Sequence, residues 1–267
     1  MSRILSLLLL LGSLAVSLTG CGLLPEQIDE TKNWSASKLY YSAKEYLAEG
    51  SYTEAVKMFE KLEARYPYGA FAQQSQLEVA YAYYKDNEPA SAIAACERFI
   101  KLHPNHPNVD YAYYLKGLAN FVEDTSFLAG LADQDMSERD PKSAREAFEA
   151  FKELASRFPD SKYTPDAVGR MKYLVNNLAA HEVRVARYYY KRGAYVAAAA
   201  RCKYALEHYP RSPALEEGMA IMAKSYDKLN LPDLRDDALR VLKLNFPNSP
   251  YVAGDGPVTA KPWWKLW

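Results

Sequence analysis

The 267-residue chain reads as an all-α protein, a superhelix of five helix hairpins. Two observations predict it. Small residues recur at fixed distances from bulky ones, at spacings that place both on one helix face. Five segments also close on a ring-bearing residue followed by proline: "ARYP", "KLHP", "SRFP", "EHYP" and "LNFP". Proline lacks the N–H that would continue a helix, so each of these marks a stop.

The chain opens with Arg3, an apolar stretch from Ile4 to Leu18, and small residues before Cys21. That is the layout of a secretory signal peptide over residues 1–20, shorter than a bilayer-spanning helix. Leu18-Thr19-Gly20-Cys21 further resembles the bacterial lipobox, in which a lipid is attached to the cysteine sulfur and the leader is cut off in front of it. Only a thiol supplies that nucleophile. One acyl chain binds a membrane marginally, at ~0.8 kcal/mol per buried CH₂. Lipoproteins of this kind carry three, so the anchor on Cys21 is expected to be permanent. Gly22 stands where an aspartate would direct inner-membrane retention, so the expected address is the outer membrane, facing the periplasm. Residues 21–33 form the lipidated linker.

The first hairpin is the clearest: "ASKLYYSAKEYLAEGSYTEAVKMFEKLEARYP". Ala43 and Ala55 lie among Leu39, Tyr46, Gly50, Tyr52, Phe59 and Pro67. This pattern resembles the tetratricopeptide repeat. Where two antiparallel helices cross most closely only small side chains fit, and large ones fill the space above and below. Gly50 ends the first helix and Pro67 stops the second. The second hairpin repeats the register with Ala80, Tyr83, Ala92, Cys96, Phe99 and Pro104. The third begins at Tyr113 and Gly117 and resumes with Ala144, Phe148, Phe151 and Pro159. The fourth has Ala186, Tyr189, Gly193, Tyr195, Ala198, Cys202, Ala205 and Pro210. The fifth has Met219, Ala223, Tyr226, Leu239, Leu242 and Pro247, with Arg235 where a small residue belongs, as expected of an end cap.

The stop prolines are 37, 55, 51 and 37 residues apart. The first long gap holds an insertion, "VEDTSFLAGLADQDMSERD". The second implies an unusually long helix, with Thr164 as N-cap, Pro165 in its first turn, and Val168, Met171, Leu174, Leu178, Val185 and Tyr189 as its apolar stripe. Cys96 and Cys202 share one register position two repeats apart. Packed helices are ~8–10 Å apart, beyond the ~7 Å reach of a disulfide, so both are expected as buried free thiols.

Without the leader the chain is near neutral, with 32 basic and 33 acidic residues, which argues against a nucleic-acid role. No metalloprotease H-E-x-x-H, G-x-S-x-G or phosphate-binding glycine loop occurs, so no enzymatic activity is expected and no cofactor beyond the covalent lipid. His103 and His106 in "HPNHP" read as a repeat-joining turn, since no Cys or acidic partner stands at metal-ligand spacing. Asp133, Asp135, Glu138 and Asp140 lack the glycine of a calcium loop and read as a solvated insertion. Of the 22 tyrosines, about three in four are expected as core filling, with Tyr41, Tyr68 and Tyr84 lining an exposed groove. The tail over residues 251–267, with Trp263, Trp264 and Trp267 beside Lys261 and Lys265, is similar to interfacial membrane anchors, with a disordered tail or one that clamps a partner as equal alternatives.

The order of lipobox, repeats, "RYPYG", "YAYYK", "HPNHPNVDYAYYLKGL", "RDPKSAREAF" and "RGAYVAAAAR" resembles the BamD (ComL) family of outer-membrane β-barrel assembly lipoproteins, from about residue 34 to 250. The resemblance implies two functional halves. Repeats 1–3 (34–160) would engage unfolded outer-membrane proteins, and repeats 4–5 (161–250) would dock on the periplasmic domains of BamA and on accessory lipoproteins such as BamC. Arg201 matches an arginine that the family uses in a charged contact with BamA. In the first half a substrate groove is expected, its bend shaped by Tyr66, Pro67, Tyr68 and Gly69. The rival readings are a repeat lipoprotein serving as a pilotin or as an adaptor for peptidoglycan enzymes.

Overall fold

The computed structural model describes residues 29–121 and 141–252. The leader, Cys21, the acidic insertion and the tail tryptophans lie outside the described residues. Among the described residues are ten helices and no strands: α1 (Ala36–Ala48), α2 (Tyr52–Arg65), α3 (Ala70–Lys85), α4 (Pro89–Leu102), α5 (Val109–Asn120), α6 (Pro141–Arg157), α7 (Thr164–Lys191), α8 (Tyr195–His208), α9 (Leu215–Lys228) and α10 (Pro232–Asn245). They form five antiparallel hairpins, each packed on the next. Odd-numbered helices also touch one another, α1 on α3, α3 on α5 and α7 on α9, and so build an inner wall.

The four described turns within hairpins share one design. At Gly50 the chain is left-handed (φ 79°). The Ser51 N–H donates to the Tyr46 carbonyl at 2.8 Å and the Gly50 N–H to that of Leu47 at 3.3 Å, which satisfies the last carbonyls of α1 in a Schellman motif. The same pair of bonds recurs around Asn87, Gly193 and Asn230, all left-handed. Asparagine is the non-glycine residue that tolerates this conformation best, which is why the second and fifth hairpins manage without glycine.

The turns between hairpins are equally regular, except the first. After α4, α6, α8 and α10 the ring-bearing residue accepts a backbone hydrogen bond from His106, Ser161, Ser212 and Ser249 respectively. Each of those four side chains in turn accepts the N–H two residues on, at 3.1 to 3.3 Å. After α2 the turn is Tyr66-Pro67-Tyr68-Gly69, with Gly69 at φ 103°.

The predicted register is the core. Ala43, Ala55, Ala80, Ala92, Ala186 and Ala198 are fully buried, as are Phe59, Phe99 and Phe151. Burying each ring contributes about 1.5–3 kcal/mol. A Cβ added to Gly117 would sit 2.3 Å from Phe151 Cε1, so α5 and α6 cross where only glycine fits. Cys96 and Cys202 are buried free thiols, and loss of hydration pushes both up to about 12.

The long helix is present, 28 residues or about 42 Å, and two details of its reading are corrected. Tyr163 occupies the N-cap, and the Thr164 hydroxyl instead donates to the Phe158 carbonyl at 2.8 Å. The buried stripe is Ala167, Leu174, Leu178, Ala179, Glu182, Val183 and Ala186, while Val168 is exposed. Sequence periodicity alone could not separate the two, because neighbouring apolar positions lie only 100° apart around the helix. Residues of α7 belong to clusters shared with α5 and α6 and to clusters shared with α8, α9 and α10. The core therefore runs unbroken across residues 160 and 161. At the far end Arg235 pairs with Asp227 at 3.1 Å and with Asp236 at 2.8 Å. Leu239, the register equivalent of buried Phe59, stays exposed because no described helix follows.

Candidate substrate and partner surfaces

The N-terminal hairpins present an aromatic patch. On α1, Tyr41 is 62% exposed, and Tyr68 before α3 is 91% exposed. Phe71, in the first turn of α3, is the residue that sequence reasoning missed. Its ring lies 5.3 Å from Tyr40 and 6.3 Å from Tyr41, and Tyr40 and Tyr41 meet edge to face at 5.6 Å. Edge-to-face pairs hold one another while leaving faces open to stack on further rings. The signal available for Phe71 was its place just beyond the left-handed Gly69.

The patch is backed by a polar group on the inner wall. Glu78 of α3 accepts from the Tyr40 hydroxyl at 3.2 Å, from Lys44 at 3.0 Å and from Gln74 at 3.3 Å. Burial, and then the Glu78 charge, pushes the Tyr40 hydroxyl up to about 12, so it remains a neutral donor. Further along the wall Tyr114 stacks on Tyr163 at 4.8 Å and donates to Asp166 at 2.7 Å, which Arg170 also meets at 2.6 Å. Burial first, and then the Asp166 carboxylate, raises Tyr114 to about 12.

The expected groove residues are not all brought together. Tyr66, Pro67, Tyr68 and Gly69 precede α3, whereas Tyr84 lies near its opposite end, about 21 Å along the 16-residue helix. Tyr84 is also half-buried against the cluster of Ala80, Cys96 and Leu115. It fills core where α3, α4 and α5 meet. Tyr66 donates its hydroxyl to the Trp34 carbonyl at 2.9 Å, pinning the segment before α1 to the first inter-hairpin turn. Tyr41, Tyr46, Tyr66, Tyr68, Tyr173 and Tyr188 are the exposed tyrosines, so the expected majority of these rings is packed.

That same segment is held by charge. Arg65 at the end of α2 pairs with Asp29 and with the Thr31 carbonyl, and Lys61 reaches Asp29 at 3.5 Å. The Thr31 hydroxyl donates to Asp29 at 2.6 Å. That bond first, assisted by the Thr31 N–H, Arg65 and Lys61, holds the Asp29 carboxyl at about 2.

Arg201 lies on α8 with its side chain 46% exposed, and its Nη1 donates to buried Glu182 of α7 at 3.1 Å. The arginine expected to face a partner is thus already anchored within the chain. His103 and His106 pack their rings on Phe99, and His103 Nε2 meets Gln76 at 2.9 Å. No group of three His, Cys, Asp or Glu residues with metal-binding placement occurs among the described residues. None of the described helices is long and apolar enough to cross a membrane.

Comparison with known proteins decides the family. The YfiO family model, described as an outer membrane lipoprotein, matches residues 32–242. The chain belongs to the YfiO family. Outer membrane protein assembly factor BamD of Neisseria gonorrhoeae is 50% identical to this YfiO chain over 263 residues, covering 97% of it and 98% of the relative. The protein of the same name from Vibrio cholerae is 35% identical over 88% of the chain and 96% of its own length. Among solved structures, a thermophilic tetratricopeptide-repeat protein of Thermus thermophilus aligns over 82% of the YfiO chain and 96% of its own, with a TM-score of 0.37 and 14% identity. MamA aligns over 85% and 98%, with a TM-score of 0.32 and 13% identity.

Proposed function

We propose that this chain is the BamD-type subunit of the outer-membrane β-barrel assembly machinery, a binding scaffold without enzymatic activity of its own. A lipid on Cys21 tethers it to the outer membrane on the periplasmic side. Hairpins one to three bind unfolded outer-membrane proteins, and hairpins four and five dock on the periplasmic domains of BamA and on accessory lipoproteins such as BamC. The relatives named assembly factor BamD support the role as a whole. The exposed rings of Tyr41 and Phe71, which meet each other and Tyr40, support the substrate surface, as does the exposed ring of Tyr68 before α3.

The chemistry fits the substrate. A barrel strand alternates aromatic or aliphatic side chains with polar ones, and its outward rings need apolar partners until lipid receives them. Rigid rings on the inner wall supply contact area at low entropic cost.

A photo-crosslinking residue placed at Tyr68 tests this reading. With purified protein and a peptide carrying the last strand of a barrel protein, it should label that peptide well above a scrambled one, and Tyr41→Ala/Phe71→Ala should lower the yield. Equal labelling of both peptides would count against the surface.

A further inference from the structure

Ahead of the first helix, residues 29–34 lie strapped along the end of α2. Arg65, the last residue of α2, pairs with Asp29, donates to the Thr31 carbonyl and reaches the Thr31 hydroxyl at 3.1 Å. Lys61, one turn earlier, meets Asp29 at 3.5 Å. The segment is also tied within itself, the Lys32 N–H donating to the Asp29 carbonyl at 3.0 Å and the Trp34 N–H to that of Thr31 at 2.9 Å. At its other end Tyr66 donates to the Trp34 carbonyl at 2.9 Å, and the Trp34 ring packs on the cluster of Leu39, Phe59 and Leu62. Thr31 is buried.

Helix α1 does not need Asp29 or Thr31 in order to begin. Ser35 caps it, the hydroxyl accepting the Lys38 N–H at 3.3 Å. Nor does a partly exposed ion pair add much stability, about 0–1 kcal/mol. What these bonds fix is a position. Eight Cα–Cα steps lead from Cys21 to Asp29, a span of at most ~28 Å, and fourteen lead from Cys21 to Ser35, at most ~49 Å. Strapping therefore takes six residues out of the tether and moves its exit from the start of α1 to the side of α2. That exit lies at the end of the hairpin that leads into Tyr66-Pro67-Tyr68-Gly69. The Gly50 turn closes the other end, about 20 Å away along the 13-residue α1.

We infer that residues 29–34 are a stand-off strap: they shorten the lipid tether and fix its exit on α2, so that the turn from Tyr66 to Gly69 is the part of the first hairpin nearest the bilayer. The inference rests on the reading that Cys21 carries the lipid. A body kept out of the bilayer and held by one short tether keeps its attached end closest on average. An unfolded barrel strand then meets the exposed rings of Tyr68 and Phe71 beside the lipid that will receive it.

The test uses the lipidated full-length chain in vesicles of phosphatidylethanolamine and phosphatidylglycerol containing a headgroup-labelled acceptor lipid. A donor dye is placed at Ala70→Cys or at Glu49→Cys, both exposed, while Cys96 and Cys202 are buried. Energy transfer should be stronger from position 70 than from position 49. Arg65→Met and Asp29→Ala, each added to either dye variant, should release the strap. The root-mean-square reach of the tether then grows from ~16 to ~21 Å, so the dye at position 70 should move out by about 5 Å and the difference between the two positions should narrow. Equal transfer from both positions in the otherwise wild-type chain overturns the inference. So does an unchanged transfer in both strap variants, even if their urea midpoints fall, because the segment would then serve only the packing of the first hairpin. If Arg65→Met does not fold, Asp29→Ala decides alone. A wild-type chain that fails to stay on the vesicles contradicts the lipid on Cys21, and the strap falls with it.

Discussion

The crossing of α5 and α6 gives the sharpest stability prediction, because two helical glycines differ in what they touch. A Cβ at Gly117 would lie 2.3, 2.5 and 2.8 Å from three atoms of the Phe151 ring, whereas nothing lies within 4 Å of one at Gly169. Replacing a helix-interior glycine by alanine gains about 1 kcal/mol of propensity in either case. At Gly117 the ring must move by roughly 1 Å to restore van der Waals contact. It is fully buried and flanked by Tyr114 and Phe121, so overpacking costs about 1–3 kcal/mol or more. Gly169→Ala should therefore stabilise by about 0.5–1 kcal/mol, and Gly117→Ala, with the packing cost set against the same gain, should be neutral at best and destabilise by up to about 2 kcal/mol. Urea unfolding of both variants reads the difference directly. Equal stabilisation would refute both the crossing and the repeat register that predicted a small residue there. Because α5 also carries Tyr114, a displaced α5 should weaken the Tyr114–Asp166 contact on the inner wall.

Three further outcomes follow from the junctions and the anchor. His106 takes the place that serine holds in the later turns, its Nδ1 accepting the Asn108 N–H at 3.1 Å, and burial together with His103 lowers its pKa. A lowered histidine contributes stability above its unfolded value that is lost as pH falls through the folded one. The urea midpoint of the wild type should fall more than that of His106→Ser between pH 7.5 and pH 5. Asp29 should titrate at about 2 by carbon-detected NMR, with its contribution present above the ordinary carboxylate value and lost as pH falls through about 2. Thr31→Val should bring that titration back toward the ordinary range, since the Thr31 hydroxyl is the foremost cause. Cys21→Ala should leave the hairpins folded by circular dichroism while releasing the protein from outer-membrane fractions; continued retention would contradict the lipid anchor.

Helix crossings were legible in the sequence because a small residue has one physical reason to recur at a fixed interval. Ala43, Ala80, Gly117 and Ala186 sit where that reason places them. The prolines were legible for the same kind of reason, a missing donor. Tyr84 was not, because a tyrosine serves equally as core or as surface and its helix phase alone does not say which neighbour covers it. The cap of α7 shifted by one residue because Thr164 found a competing acceptor in the Phe158 carbonyl. Glu182 did leave a trace, an acid four residues beyond Leu178 on an otherwise apolar face, but its partners come from α6 and α8, and no local pattern names them.

Affinity purification of the full-length chain from detergent-solubilised envelopes asks whether it sits in the barrel-assembly machinery. Stoichiometric recovery of BamA is the predicted result. Recovery of a secretin or a peptidoglycan hydrolase in its place would rule that membership out.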